Sequence, residues 1–382
     1  MYKILKHGDI PVLRAETGLS GQIVRIADII NREHIPVGVS SLFPEILLQQ
    51  LIKWGEKRAI PHMRQNLAKL TEILGGVPSE ELLHTCQVSL TDCYYYVPEK
   101  DCDKITWESV NYYDNGFDDG FSKKYLYDTG IGYHSGSNVP DLTTNGNLEK
   151  VWISADNVPL LLKWGDMGPL SAECPGKNLL SANEVAAFMI SRIMNVSATE
   201  YLCVDVNGMK LCACPSFIAD PYTEYVTADQ IRAEEKVSSL ALYDRLCDLG
   251  LKRDVDNMIL FDHIIHNTDR HMSNFGILRD GRTLAIKGFA PLYDNGSSLY
   301  WNKDKKYTKP FTDLRSEQLS LISDLSDRIL PDIMDIKRII KETYDRFDIN
   351  GDIYDQVISD LEDSYEMASM VKEHDDRNMD KL

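Results

Sequence analysis

The chain has 382 residues, of which 43% are hydrophobic and 26% charged, so it is long enough to bury a core and to form two or three domains. Its formal net charge of −18 and pI of about 4.9 argue against a free-standing nucleic-acid binder, because such proteins neutralise phosphates with a basic surface. Direct nucleic-acid binding is therefore not expected.

The cysteines and the N-terminal sequence indicate the cellular compartment in which the protein is expected. The eight cysteines are scattered among apolar residues without a C-x-x-C pair, which is typical of reduced thiols in a cytosolic protein. The sequence MYKILKHGDIPV lacks the apolar core of a signal peptide, and no apolar run approaches the roughly 20 residues that span a bilayer. We expect a cytoplasmic protein that does not enter a membrane.

Residues 1–130 are predicted to form an N-terminal module that is mostly helical and whose role the sequence leaves unknown. Met1–Ala15 alternates like a short β-hairpin with its turn near Gly8-Asp9. Leu42–Leu51 and Met63–Leu74 have helical periodicity, and the second helix stops at Gly75-Gly76.

Residues 131–220 are predicted to form a smaller, sheet-rich unit that follows a polar, glycine-rich segment. Asn207-Gly208 is a strong signal for a type I′ hairpin turn. The predicted elements are the strands Glu149–Ile153, Val158–Trp164, Glu200–Val206 and Lys210–Pro215, and the helix Ser181–Asn195.

Residues 221–382 are predicted to be mainly helical. Val255–Asn267 is apolar at helical spacing, and three further helices are expected after Ser316. A second hairpin is expected from Asn274–Leu278 and Thr283–Phe289, joined by a turn at Asp280-Gly281.

The residues that indicate chemistry surround this second hairpin. Phosphoryl transfer needs a carboxylate beside the attacking hydroxyl and oxygen ligands for Mg²⁺. Asp269 and Asn274, five residues apart, supply these groups from one loop. Because a hairpin returns the chain to its start, Asn274 and Asp294 are expected to lie close together as metal ligands. Capping and turn formation is the alternative role of these residues.

The string from Phe261 to Leu299 resembles the C-terminal lobe of the HipA-like serine/threonine kinases. The family signature is N-x-D-x-H-x-x-N followed by A-P-x-Y-D-x-x-S. In this chain the first motif is Asn267, Asp269, His271 and Asn274, and the second is Ala290, Pro291, Tyr293, Asp294 and Ser297.

This resemblance covers about residues 130–330 and implies a bilobal, protein-kinase-like α+β fold. The predicted domains are a small sheet-rich lobe at 131–220 and a large helical lobe at 221–382, preceded by the N-terminal module. It also implies ATP and Mg²⁺ as cofactors and a protein hydroxyl as acceptor. Residues 1–125 do not match the short N-terminal subdomain of the best-known toxin members.

A kinase needs a cation for the α- and β-phosphates, set in a strand. Lys163, at the end of Val158–Trp164, fits this role, and Lys150 is the second candidate. Glu184, 21 residues after Lys163, is placed to orient the lysine from a helix. Ser181-x-x-Glu184 also has the form of a capping box, in which the glutamate would serve the helix N-terminus instead.

The stretch Ser135–Asn147 resembles the phosphate-binding loop of the family in its position. It is rich in small residues, which let backbone N–H groups approach phosphate oxygens. A serine of this loop is an autophosphorylation site in some members. The candidate hydroxyls, among which the sequence does not choose, are Ser135, Ser137, Thr143 and Thr144. A mobile polar loop without a ligand is the alternative.

Two further residues are assigned roles from their positions relative to the elements of the family. Phe217 lies where the inter-lobe hinge would contact adenine. His271 is either a structural residue that holds the catalytic loop or an acid–base group beside Asp269.

The leading hypothesis is an ATP- and Mg²⁺-dependent kinase that phosphorylates a Ser or Thr hydroxyl on protein and that also autophosphorylates. A nucleotide-binding pseudokinase or interaction module is one alternative, and a small-molecule or lipid kinase on the same fold is another. The resemblance suggests a toxin–antitoxin role with a small antitoxin-like partner, which the chain itself does not show.

Overall fold

The computed structural model of the chain describes residues 1–128, 133–164, 178–299, 310–312, 318–322, 325 and 328–379. These residues form a mixed α+β structure with three antiparallel sheets. The strands are β1 (Tyr2–His7), β2 (Ile10–Thr17), β3 (Ile23–Ile29), β4 (Tyr94–Pro98), β5 (Glu149–Ala155), β6 (Val158–Trp164), β7 (Leu202–Val206), β8 (Met209–Pro215), β9 (Thr223–Thr227), β10 (Gly276–Asp280) and β11 (Ile286–Phe289).

The helices surround these sheets. They are α1 (Pro44–Arg58), α2 (Leu67–Leu74), α3 (Pro78–His84), α4 (Trp107–Val110), α5 (Tyr112–Asn115), α6 (Gly120–Tyr127), α7 (Leu179–Ile193), α8 (Ala228–Glu235), α9 (Ser239–Leu246), α10 (Lys252–Ile264), α11 (Ile333–Arg346) and α12 (Gly351–Met379), with short 3₁₀ turns at Glu99–Asp101 and Pro140–Thr143. No helix in the described part of the chain has both the length and the apolar character needed to cross a bilayer.

The N-terminal sheet has the strand order β3-β2-β1-β4. The predicted hairpin is confirmed as β1 and β2, and α1 covers one face of the sheet through Leu47 and Leu51. Helices α1 to α6 hold more residues of the N-terminal module than its strands do, but the prediction missed β3 and β4. Strand β4 pairs with β1 across about ninety residues of chain, and local periodicity does not report such long-range pairing.

The second sheet has the order β5-β6-β8-β7 and contains the predicted strands. Its hairpin turn is confirmed, since Asn207 and Gly208 both have positive φ angles, 55° and 77°, as a type I′ turn requires. One face packs against α2 and α6 in a shared core that includes Leu70 and Phe121. The predicted boundary at residues 130–131 lies outside the described residues, and this core extends across it.

The largest core joins α7, the third sheet (β11-β10-β9) and helices α10, α11 and α12. Helix α10 and the β10–β11 hairpin confirm the predicted helix and hairpin, although the observed connection is longer than Asp280-Gly281 because β11 begins at Ile286. Two of the three helices expected after Ser316 are α11 and α12; the segment that begins at Ser316 falls partly outside the described residues.

Candidate active site

Lys163 lies at the end of β6, where its strand neighbours are Lys150 of β5 and Cys212 of β8. Its ammonium group donates to Glu184 Oε1 at 2.5 Å and to Asp294 Oδ1 at 2.6 Å. Three segments that are far apart in sequence, β6, α7 and the stretch after β11, therefore meet at one nitrogen.

Glu184 is fully inside α7 and does not serve its N-terminus. The helix begins at Leu179 after Asn178, so Ser181 is its third residue and the capping-box interpretation is wrong. Ser181 Oγ donates instead to the Lys163 carbonyl at 3.3 Å. Glu184 Oε2 accepts from the backbone N–H of Asn295 at 2.7 Å, so this carboxylate ties both Lys163 and the Asp294 segment to the helix.

The three charged groups respond differently to their surroundings. Burial opposes the charge of Lys163, but Asp294 and Glu184 outweigh it and raise the lysine pKa well above its usual value. Burial also opposes ionisation of Asp294, but Lys163 and then Lys150 lower its pKa below the usual range. Burial raises the pKa of Glu184. Asp294 is thus an ionised carboxylate whose side chain is still 35% exposed.

The loop after α10 contains Asp269, His271 and Asn274. Asp269 is half-buried, and its backbone N–H donates to Asn267 Oδ1 at 3.0 Å. Asn274 Nδ2 donates to the Asp269 carbonyl at 3.1 Å, so its Oδ1 oxygen is not used in this bond. His271 Nδ1 accepts from the Ser273 N–H at 3.2 Å, which favours its structural role over the acid–base role.

Arg270 joins this loop to the Asp294 segment. The side chain is almost fully buried and forms a two-point contact with Asp262 of α10, at 2.9 and 3.0 Å. Its Nη1 donates to the carbonyl oxygens of Asn274, at 2.9 Å, and Tyr293, at 2.8 Å. One guanidinium nitrogen therefore links the backbone at Asn274 to the backbone of Tyr293, the residue before Asp294.

Direct hydrogen bonds between the two segments add to this link. Thr268 donates to the Ser297 carbonyl through its backbone N–H at 3.0 Å and its hydroxyl at 2.8 Å. Asn183 of α7 donates to the carbonyls of Gly296, at 3.2 Å, and Ser298, at 2.9 Å. The backbone around Asp294 is therefore held from the loop on one side and from α7 on the other.

Phe217 contacts the same region through aromatic rings. Its ring stacks on Tyr293 with centroids 5.5 Å apart and meets Tyr225 edge-on at 5.4 Å. The Tyr293 hydroxyl donates to the Ser273 carbonyl at 2.8 Å. The predicted hinge residue is thus one ring away from the segment that carries Asn274.

The four candidate hydroxyls of the predicted phosphate loop do not contact Lys163 through any of the bonds they make. Ser135 donates to Glu81 of α3 at 2.9 Å, and Ser137 N–H donates to the His134 carbonyl. Thr143 is buried and donates to the Val88 carbonyl at 2.8 Å.

Thr144 also bonds within this segment, donating to the Pro140 carbonyl at 2.7 Å and accepting from Trp152 Nε1 at 2.8 Å. The part of the segment nearest the lysines is Asn145, whose carbonyl accepts from Lys150 Nζ at 3.0 Å. Burial, and then Arg64 and Lys163, lower the pKa of Lys150 to about 7.

Reasoning from the sequence missed Arg270 and Asn183, which position the site without contributing to its predicted chemistry. A signal existed for Arg270, because it lies inside the motif, between Asp269 and His271. No signal existed for Asn183, because its partners are backbone carbonyls more than a hundred residues away.

No protein-family model matches the chain, and no curated protein matches it in sequence. Several solved structures match the chain, among them two bacterial proteins. HipA of the Shewanella oneidensis MR-1 toxin–antitoxin system, solved with HipB and operator DNA, has a TM-score of 0.56 and 11% identity, with 97% of this chain and 99% of that chain covered.

The second is the proinflammatory kinase CtkA of Helicobacter pylori, with a TM-score of 0.42 and 15% identity, over 62% of this chain and 97% of that chain. The chain is therefore similar in fold to HipA over nearly its whole length, at low sequence identity.

Proposed function

We propose that the chain is an ATP- and Mg²⁺-dependent kinase that transfers phosphate to a Ser or Thr hydroxyl on protein. The observation that carries the proposal is the contact of Lys163 with both Glu184 and Asp294. A lysine held by a helix glutamate beside an ionised aspartate is the arrangement that protein kinases use for nucleotide phosphates and their metal.

The donor groups fit a magnesium ion. Mg²⁺ prefers hard oxygen ligands and binds through one or two protein groups together with phosphate oxygens. Asp294 supplies a partly exposed, ionised carboxylate, and Asn274 an amide oxygen on the adjoining loop. When bound, the ion would neutralise charge on the phosphates being transferred.

The remaining steps belong to side chains of this chain. Lys163 would hold the α- and β-phosphates, and Glu184 would keep its ammonium group in place. Asp269 would accept or orient the proton of the attacking hydroxyl. Arg270 would act as a positioning residue, because it fixes the backbone of Asn274 and Tyr293. His271 would hold the loop through Ser273.

We propose that adenine lies near Phe217 and the phosphates near Asn145, beside the lysine pair of β5 and β6. Of the four hydroxyls in the predicted phosphate loop, Ser135 and Ser137 are the better candidates for autophosphorylation. Thr143 and Thr144 lie in the 3₁₀ turn or directly after it, are less exposed than Ser135, and donate their hydroxyls to backbone carbonyls.

The test is transfer of ³²P from ATP with Asp269→Ala and Asp294→Ala variants. Each is expected to reduce transfer by at least about 10²-fold, the lower end of what a positioned acid–base group contributes. Asp244→Ala, which removes an exposed carboxylate from α9, should leave transfer unchanged. Undiminished labelling in either site variant would contradict the mechanism.

A pseudokinase is the second candidate, because Ser135, Thr143 and Thr144 of the predicted phosphate loop use their hydroxyls within the protein. It predicts binding of Mg-ATP by the pure protein with no phosphate adduct by intact-mass spectrometry. Transfer to the protein itself or to an added protein would exclude it.

The proposal extends to partners and place of action. HipA of Shewanella oneidensis was solved with HipB and operator DNA, so we propose a small antitoxin-like partner for this chain in the cytoplasm. With a net charge of −18, the chain would depend on such a partner for contact with DNA. Affinity purification from the native host followed by mass spectrometry should recover that partner.

A further inference from the structure

A second cluster of ligand-type side chains lies where the N-terminal sheet meets the third sheet. Within the described residues, one group of three or more His, Cys, Asp or Glu side chains has metal-ligand spacing. It consists of His7, Cys93 and Glu224, all buried, with one ligand atom each within 4.8 Å of the others. The proposed kinase chemistry does not use any of these residues.

The backbone brings the three side chains together from both sheets. His7 ends β1 and pairs with Tyr94, the residue after Cys93. Gly8 N–H also donates to the Cys93 carbonyl at 2.9 Å. Glu224 comes from β9, where it pairs with Arg279 of β10.

The imidazole of His7 is oriented by contacts of its ring and of Nδ1, and Nε2 faces Glu224 of the cluster. His7 Nδ1 is 2.8 Å from His34 Nδ1, and the ring stacks on Tyr94. His7 Nε2 is fully buried and 3.0 Å from Glu224 Oε1, yet the geometry of that contact does not make a hydrogen bond. A buried ring nitrogen 3.0 Å from a carboxylate but without a well-formed hydrogen bond calls for an explanation, and a metal ion shared by the two groups supplies one.

The backbone at Gly281 approaches these ligand atoms closely. A Cβ at this position would come within 2.9 Å of Cys93 Sγ and 3.2 Å of His7 Nε2. Its φ angle is not positive, so the backbone itself does not require glycine. The close approach to the sulfur and the imidazole is therefore what requires glycine at this position.

We propose that His7, Cys93 and Glu224 bind a zinc ion that fastens the N-terminal sheet to the sheet carrying the catalytic-loop hairpin. Sulfur, imidazole and carboxylate together are ligands that zinc accepts in tetrahedral sites. Bond lengths of about 2.0–2.3 Å place tetrahedral ligand atoms roughly 3.3–3.8 Å apart, so the cluster has to contract by up to about 1 Å. His34 acts as a positioning residue through Nδ1 of His7.

Charge and protons balance in this site. The Cys93 thiol donates to the Pro221 carbonyl at 3.3 Å, so the empty site holds a protonated thiol. Zinc binding forms the sulfur–zinc bond and releases that proton. Glu224 Oε2 stays paired with Arg279 Nε at 2.6 Å, which leaves Oε1 to face the ion.

The experiment measures metal content, because the buried site has to fill while the two sheets come together. The full chain is refolded from denaturant with ZnCl₂, freed of loose metal by desalting, and analysed by plasma mass spectrometry. We expect one zinc per chain in the wild type and in Cys102→Ser, the matched control outside the cluster. We expect none in Cys93→Ser, although the serine hydroxyl can still donate to the Pro221 carbonyl as the thiol does.

Two more variants separate zinc loss from misfolding. Gly281→Ala keeps all three ligands but places a methyl group against Cys93 Sγ and His7 Nε2, and should also lose the zinc while circular dichroism stays unchanged. His34→Ala should retain zinc but bind it about 10- to 100-fold more weakly in competition with a chelator.

A wild-type chain that holds no more zinc than Cys93→Ser would overturn the proposal. So would Cys102→Ser losing zinc to the same extent as Cys93→Ser. Because metal content is the readout, either result is independent of whether the chain transfers phosphate.

Discussion

The buried charged side chains of this protein differ in how many partners of opposite charge and hydrogen bonds they have. Arg270 has a two-point carboxylate partner and three oxygen acceptors besides. Asp141, in the 3₁₀ turn before β5, is 5% exposed and accepts hydrogen bonds from the Trp152 N–H at 3.0 Å and the Ser122 hydroxyl at 3.4 Å. Burial outweighs these bonds and the charge of Arg64, and raises the pKa of Asp141 to about 7.

Asp141 should make the folded protein less stable as pH rises. Between the usual pKa of 3.8 and about 7, the folded state holds a proton that the unfolded state has released, so the free energy of unfolding falls across this window. The full loss above pH 7 is roughly 4 kcal/mol. Asp141→Asn is neutral throughout, so its stability relative to wild type should increase between pH 4.5 and 8 in urea titrations. Parallel pH profiles for the two proteins would contradict this.

At the scale of elements, the second sheet and the β10–β11 hairpin were predicted correctly in outline from the sequence. Strand β6 has the predicted bounds, and α7 begins two residues before its predicted start. These elements have strong local signals, namely alternating or helical apolar spacing and Asn-Gly or Gly-containing turns. Strands β4 and β9 were missed because short strands that pair with distant segments resemble irregular chain locally. Strand β3 was also missed, although it pairs with the preceding strand β2.

The candidate site was likewise predicted only in part from the sequence. The proximity of Lys163 and Glu184 was expected from their order and is observed, although their roles remain proposals. The anchoring of the loops was not foreseen, because Arg270 and Asn183 act on backbone carbonyls that only the folded chain brings near. Side chains that bind backbone carry no pairing pattern in the sequence.

Arg270 connects α10, the loop of residues 267–274 and the backbone just before Asp294, so its removal should destabilise the protein strongly. Arg270→Met leaves Asp262 without its buried partner, which costs about 3–5 kcal/mol of unfolding free energy. Denaturant titration measures this loss, and Arg25→Met, which breaks an exposed pair with Glu16, should cost no more than about 1 kcal/mol. Adding Asp262→Asn to Arg270→Met should cost less than the sum of the single changes.

Over the whole molecule, the N-terminal third and the second sheet share one core. Val151, Leu162 and Leu211 of the sheet pack against helices that come from residues 59–125. The N-terminal third therefore supplies one wall of the unit that carries Lys163. The division into domains at residue 130 stays a prediction from sequence, and it cuts through shared packing.

A fragment of residues 131–382 should fail to fold as a stable unit, because it would expose the apolar face of the second sheet to water. We expect little soluble protein, strong binding of a hydrophobic dye and no cooperative thermal transition. In the full chain, Phe121→Ala should cost about 3–5 kcal/mol, because this side chain is fully buried in the shared core. A soluble fragment with a sharp transition would show that the N-terminal third is dispensable for folding.

The double contact of Lys163 has a thermodynamic consequence for the proposed kinase. An ammonium group has three N–H donors, and Glu184 and Asp294 already take two of them. As long as Lys163 holds Asp294, it competes with any cation for that carboxylate. A nucleotide that draws Lys163 towards its phosphates would remove this competition.

Magnesium and nucleotide should therefore each raise the affinity of the protein for the other by the same factor, as linkage requires. Calorimetric titration of each ligand with and without the other measures this factor. Affinities that do not depend on the second ligand would show that Lys163 does not link the two. The ion pair then acts as a latch: in the empty protein it keeps the aspartate occupied until both ligands arrive together.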